Sequence, residues 1–219
     1  DAAGNKAVDV TRKVTVSDTT LPVITLDGEA DVSIEYGATY SDPGAIAQDT
    51  LDGDITGIVQ STGSVDTSKL GEYSITFNVT DAAGNKAIEL IRKVTVVDST
   101  PPVILLVGEG SMKVESGSDF TDPGATASDN VDGDLTASLD VTGSVDTSVD
   151  GTYKLIYTVN DTGGNEATVI RTVVVSDLTP PAVTLKGNSF MSLQLQNTFV
   201  DDGATAIDNL EGDITASII

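Results

Sequence analysis

Apolar residues recur at every second position through much of this chain, the spacing of β-strands rather than of helices. In GEYSITFNVTD (71–81), Tyr73, Ile75, Phe77 and Val79 fall on one face, and Glu72, Ser74, Thr76 and Asn78 on the other. GTYKLIYTVND (151–161) repeats the arrangement with Tyr153, Leu155, Tyr157 and Val159. Each run passes through DAAGN (81–85) or DTGGN (161–165) into a second strand that ends KVTVVD (93–98) or TVVVSD (172–177). Gly and Asn tolerate positive φ, so these turns close hairpins. The second returning strand is one residue shorter, and a β-bulge is expected to absorb that slip. No segment carries a helical period. The predicted class is all-β.

The strands belong to a repeat. DAAGNKA at residue 1 returns at 81 and, as DTGGNEA, at 161, a step of 80 residues. LPVITL (21–26), PPVILL (101–106) and PPAVTL (180–185) keep the same register with one residue lost, and SDPGA (41–45) returns as TDPGA (121–125). Cutting at the proline linkers predicts four pieces: 1–18, the tail of one repeat; 19–98 and 99–177, two complete repeats; and 178–219, the front half of another. Each end piece lacks the strands that would cover its apolar face. The chain therefore reads as a window onto a longer tandem array, with units large enough to bury a modest core.

Charge and composition narrow the chemistry. The 219 residues carry 34 acidic and 11 basic side chains, a formal charge of −23. This charge rules against nucleic acid as a partner and disfavours anionic membrane surfaces, because both need clustered Lys and Arg. No apolar run is long enough to span a bilayer, and no signal segment opens the chain. Cysteine and histidine are both absent, which removes disulfides, thiolate zinc sites and the commonest general base. Aromatic residues make up only 4%, too few for an evident sugar- or base-stacking platform. Oxygen ligands remain, and these suit hard cations such as Ca2+.

The acids concentrate in DTLDGD (49–54), DNVDGD (129–134) and DNLEGD (208–213). If the Gly-Asn turns lie at the same pole as these loops, each loop is faced by the aspartate that ends the preceding repeat. Asp18 would meet Asp49, Asp52, Asp54, Asp81 and Asn85. Asp98 would meet Asp129, Asp132, Asp134, Asp161 and Asn165. Asp177 would meet Asp208, Glu211 and Asp213. Two charges about 4 Å apart repel by roughly 4 kcal/mol at an effective dielectric near 20, and a divalent cation removes that repulsion directly. One Asp-Gly loop alone is ordinary turn chemistry. Three recurrences with a linker Asp at every boundary point instead to Ca2+ at the junctions. No helices flank the loops, so they are not EF-hands. Catalysis by a pair such as Asp52 and Asp54 would need an apolar wall to raise one pKa, and none is evident, so the chain reads as non-enzymatic.

Gly71–Tyr73 and Gly151–Tyr153 resemble the tyrosine corner of immunoglobulin-like sandwiches. The full pattern, PVITL, DPGA, DxxDGD, VDTS, GxY, VxDxxGN and VxVxD, resembles the bacterial immunoglobulin-like surface repeats of large adhesins and cell-surface proteins, which are also appended to some secreted toxins and enzymes. The resemblance implies tandem immunoglobulin-like β-sandwich domains in a linear array, located outside the cell at the bacterial surface. It implies a structural and adhesive stalk whose partners are neighbouring repeats and a cell-surface glycan or protein receptor. The alternative is an accessory carbohydrate- or receptor-binding module of a secreted enzyme or toxin.

Overall fold

The computed structural model describes residues Asp1–Ile219, and the chain divides into two compact units, Asp1–Ser99 and Thr100–Ile219. In the first, residues 1–22 form no strand. The strands that follow are β1 (Val23–Leu26), β2 (Asp31–Glu35), β3 (Ala45–Asp49), β4 (Gly53–Asp54), β5 (Gln60–Thr62), β6 (Gly71–Asn78) and β7 (Leu90–Val97), with one 3₁₀ turn at Thr56–Ile58. Two sheets result. One is antiparallel, in the order β1-β3-β4; the other runs β2-β7-β6-β5. Within the second sheet β2 lies parallel to β7, with Glu35 opposite Val97, a pairing that apolar alternation does not reveal.

The core sits between the sheets. Ile24 and Ala47 come from the first, and Ile75, Phe77 and Val79 from the second. Alternation had placed the last three on one face, and burying each contributes about 1.5–3 kcal/mol. Val94 and Val96 of β7 are also buried. The expected tyrosine corner is present: the Tyr73 hydroxyl donates to the Lys69 carbonyl at 3.0 Å, four residues upstream.

The second unit opens with the same plan: β8 (Val103–Leu106), β9 (Ser111–Glu115), β10 (Ala125–Asp129), β11 (Gly133–Asp134), β12 (Asp140–Thr142), β13 (Gly151–Asn160) and β14 (Glu166–Ser176). Its sheets run β11-β10-β8 and β12-β13-β14-β9, with β9 parallel to β14. Ile104, Ala127, Leu155, Tyr157 and Val159 form its core. The Tyr153 hydroxyl reaches the Val149 carbonyl at 2.8 Å. A further sheet follows, β15 (Ala182–Leu185), β16 (Ala204–Asp208) and β17 (Gly212–Asp213), in that order. Val183 and Leu185 lie exposed on it.

The expected bulge is present, and it lies in the longer of the two returning strands. The shorter strand β14 pairs with β13 without interruption from Gly151↔Val175 to Asn160↔Glu166. The longer β7 carries the irregularity. Phe77 pairs with Leu90, yet the Val79 carbonyl accepts the Ala87 amide, so Ile88 and Glu89 together oppose Asn78. The extra residue throws Ile88 into solvent and leaves Leu90, Arg92, Val94 and Val96 facing inward.

A buried arginine closes each sandwich. Arg92, fully buried, donates to the carbonyls of Asp27, Glu29 and Gly44, pairs with Asp42, and lies 5.6 Å over the Phe77 ring. Arg171 repeats this with the carbonyls of Val107 and Gly124, Asp122 at 3.3 Å, and the Tyr157 ring at 5.8 Å. The DPGA aspartate Asp42 accepts the Gly44 amide at 2.7 Å, which shapes a bend, and it is also the counter-ion of the core.

Candidate metal centre

Three elements of the first unit build the site. β3 ends on Asp49, and Gly53, at φ +74°, turns the chain back so that β4 can pair with β3. The Asp49 Oδ1 accepts the amides of Leu51 at 2.8 Å and Asp52 at 3.0 Å, which fixes the carboxylate at the base of the loop. These amides hold its pKa below the usual aspartate value, led by that of Asp52.

The second element is the Gly-Asn turn. Asp81 Oδ1 accepts the Asn85 amide at 2.7 Å, and its Oδ2 accepts the Asn85 side-chain Nδ2, also at 2.7 Å. The third is the segment leading into β1, where the Asp18 Oδ1 accepts the Thr20 amide at 2.9 Å. Asn85 Nδ2 also donates to the Asp18 carbonyl at 3.4 Å, tying the segment to the turn.

Asp18, Asp49 and Asp81 thus converge, with one carboxylate oxygen from each lying within 4.8 Å of the others. Asp49 is only 7% exposed and Asp81 6%. Asp18 Oδ2 and Asp49 Oδ2 are buried with no hydrogen-bond partner. Three carboxylates this close repel one another. The span fits one calcium coordination sphere, since oxygens 2.3–2.6 Å from a shared ion lie at most about 5 Å apart.

The other sequence-predicted residues fall into distinct positions. Asp52 lies outside the converging set; its Oδ2 accepts the Ala82 amide at 2.8 Å and so clips the acidic loop to the turn. Asp54 also lies outside, because its Oδ1 accepts the Thr56 amide at 3.0 Å. Asn85 is engaged through its amide nitrogen, as a donor that orients Asp81.

The second unit repeats the loop and the turn. Asp129 Oδ1 accepts the amides of Val131 and Asp132, and its Oδ2 is again buried without a partner. Asp132 accepts the Thr162 amide at 2.7 Å and the Thr162 hydroxyl at 2.8 Å. Asp134 is held by Thr136. Asp161 is gripped by Asn165 through amide and side chain. Burial alone would raise the Asp161 carboxyl, but hydrogen bonds from Asn165 and from the Gly163 and Gly164 amides hold it below the usual range.

Asp98 directly follows β7, in the repeat register of Asp18. In the third loop Asp208 is 4% exposed and accepts the Leu210 and Glu211 amides. Glu211 is exposed, and Asp213 is bound to Thr215 at 2.9 Å. Asp177 is exposed and accepts the Thr179 amide at 3.0 Å.

Sequence reasoning missed the amide clips from Ala82 and Thr162, and the glutamates that end β2 and β9. The glutamates could have been found, because Glu35 and Glu115 stand one repeat apart, each closing an alternating run.

The model for the bacterial surface protein Ig-like domain matches residues 24–96 and again 104–175. Among curated relatives, hyalin of Strongylocentrotus purpuratus is 32% identical over 209 residues, 87% of this chain and 17% of that protein. An uncharacterised 81.3 kDa protein of Acholeplasma phage L2 is 30% identical over 81% of this chain and 25% of its own length. The pesticidal crystal protein Cry22Aa of Bacillus thuringiensis is 47% identical over 31% of this chain and 10% of that protein. The chain thus spans a quarter or less of the curated relatives it matches. Among solved structures, the lipoprotein BT2262 of Bacteroides thetaiotaomicron is similar over 68% of this chain and 98% of its own, at 20% identity and a TM-score of 0.33. A Clostridium perfringens ZmpB structure comprising the M60 catalytic domain with CBM51-1 and CBM51-2 is similar over 78% of this chain and 33% of its own, at 14% identity and a TM-score of 0.41. No helix of the chain is long and apolar enough to cross a membrane.

Proposed function

The chain belongs to the Ig-like domain family of bacterial surface proteins, and we propose that its repeats form a non-catalytic, extracellular stalk segment stiffened by Ca2+ where one repeat follows another. The observation that carries this reading is the Asp18–Asp49–Asp81 constellation, in which two carboxylate oxygens are buried without a partner. A buried, unpaired negative charge is costly, and a cation is the direct way to offset it. The donors are all oxygen, as calcium prefers, and no histidine or cysteine competes for a softer metal.

In this reading Asp18, Asp49 and Asp81 each give one carboxylate oxygen, and backbone carbonyls and water complete the 6–8 ligands calcium takes. Asn85 and the Asp52–Ala82 clip orient the ligands; Asp54 closes its own turn. Because Asp18 precedes the repeat and Asp49 and Asp81 lie within it, a shared ion ties the incoming linker to the fold. The repeat register assigns the same part to Asp98 and to Asp177. Calcium supplies charge neutralisation and a fixed linker direction. Affinity near 10⁻⁴–10⁻³ M, usual for extracellular modules, makes the stiffening a response to the medium.

Calorimetric titration of the whole chain with CaCl2 tests this. Heat of binding that is reduced by Asp49→Asn supports the site. No heat up to tens of millimolar calcium removes it.

A further inference from the structure

In both full repeats the second strand ends on a glutamate, Glu35 in β2 and Glu115 in β9. Each of these strands runs parallel to the last strand of its sandwich, so the two strands finish at the same pole. Glu35 pairs with Val97, and Glu115 with Ser176. The glutamates therefore stand where the chain leaves the sandwich, and both reach past the strand end to the residue just beyond the linker aspartate.

Both carboxylate oxygens of Glu35 accept the Ser99 amide at 3.1 Å, and Oε2 also accepts the Ser99 hydroxyl at 2.5 Å. Glu115 Oε2 accepts the Leu178 amide at 2.8 Å, and its Oε1 accepts Nδ2 of Asn209 at 3.0 Å. Ser99 follows Asp98, Leu178 follows Asp177, and Asn209 follows Asp208 within the DNLEGD loop.

We infer that Glu35 and Glu115 are positioning residues of the linker: each pins the exit path of the chain so that the linker aspartate is held in one orientation, and Glu115 also grips the next acidic loop. The same carboxylate at the same repeat position takes the amide of the residue after the linker aspartate in both repeats, although that residue differs, Ser99 in one and Leu178 in the other. The parallel pairing is what makes this possible. An antiparallel partner strand would end at the opposite pole. The inference rests on the calcium reading only for its consequence on affinity; the latch itself needs no metal.

The test uses the full chain and two readouts. Amide hydrogen exchange in the presence of chelator reads the latch. Glu35→Ala should speed exchange at Ser99 about tenfold, as expected on losing a charge-assisted hydrogen bond, and leave Leu178 unchanged. Glu115→Ala should do the reverse. Glu35→Gln keeps an acceptor and should stay within about threefold of the parent at Ser99, with an unchanged Tm in all three variants. Calcium titration then reads the consequence: Glu35→Ala should weaken one binding step about fivefold, and Glu35→Gln should restore most of that loss. Unchanged exchange at Ser99 and Leu178 overturns the latch. Faster exchange with unchanged calcium affinity overturns the positioning role. If the parent chain binds no calcium, the proposed function and the positioning role fall together, and the exchange rates still decide the latch.

Discussion

The phenolic hydroxyls of Tyr40 and Tyr157 bond equivalent aspartates from two different places in the repeat. Tyr40 donates to Asp42 at 2.9 Å, and Tyr157 donates to Asp122 at 2.5 Å. Tyr40 stands in the register of Phe120, and Phe77 in that of Tyr157. Each repeat therefore holds one Tyr and one Phe at this pair of positions, with the hydroxyl supplied once. Phe120 and Tyr157 both belong to the core of the second repeat, as Tyr40 and Phe77 do in the first.

The exchange predicts coupling. Tyr40→Phe should destabilise the first repeat by about 1 kcal/mol, the net worth of one hydrogen bond. Phe77→Tyr added to it reproduces the arrangement of the second repeat and should recover most of that loss. A double-mutant cycle from urea midpoints measures the coupling, and strict additivity would refute the shared role.

Removing the counter-ion should cost more. Asp42→Ala leaves the fully buried Arg92 guanidinium without its charge partner, although the Asp27, Glu29 and Gly44 carbonyls still accept from it. The expected loss is about 3 kcal/mol, at the low end for breaking a buried pair. Arg92→Met with Asp42→Asn should be far milder, because no buried charge is stranded. Denaturant unfolding monitored in the first repeat separates the two.

A glycine test addresses the crossing of chain segments near β5. At Gly63, φ is +107° and an added Cβ would lie 2.2 Å from the Ser74 carbonyl oxygen. Gly63→Ala should destabilise by about 2–4 kcal/mol through strain and displaced backbone. Gly57→Ala, in open space at ordinary φ, should fall within about 0.5 kcal/mol of the parent.

Acid stability should carry the mark of the VDTS turn. Asp66 is held down to about 2 by the Ser68 hydroxyl first, then by Lys69 and the Ser68 amide. Its folded pKa lies below its ordinary value of 3.8, so its contribution is complete above that value and is lost as pH falls toward 2. Asp66→Asn should flatten the slope of the urea midpoint between pH 4 and pH 2, and leave the behaviour above pH 5 little changed.

Much of the fold was legible because it depends on local periodicity. The alternation of Tyr73, Ile75, Phe77 and Val79 fixed their common face, and Gly-x-Tyr foretold the corner that Tyr73 and Tyr153 make. The parallel pairing of β2 with β7 was not legible, since strands distant in sequence leave no periodic trace of their partner. The bulge was expected from the one-residue slip, but the strand that carries it was not legible, because a missing residue and an extra one look alike until the regular register is known. Arg92 could have been suspected: it occupies an inward position between Leu90 and Val94. Within DTLDGD, spacing alone cannot say where three carboxylates turn. Asp54 is followed two residues later by Thr56, and that Asp-x-Thr step was the available sign that it bonds its own turn.

Charge removal at the site should cost more when calcium is present. In chelator, Asp49→Asn relieves repulsion but weakens the bonds from the Leu51 and Asp52 amides that hold the carboxylate ionised, so a small loss of stability is expected. At 10 mM calcium the parent should gain about 1.4 kcal/mol for a Kd near 1 mM, and the variant should not. Thermal unfolding in the two buffers shows whether the gap between parent and variant widens with calcium.

The most direct measurement is anomalous X-ray scattering at long wavelength from crystals grown in millimolar CaCl2. A calcium peak is expected within bonding distance of carboxylate oxygens of Asp18, Asp49 and Asp81. A well-ordered map with no anomalous peak among those three residues would rule out a calcium-bound junction.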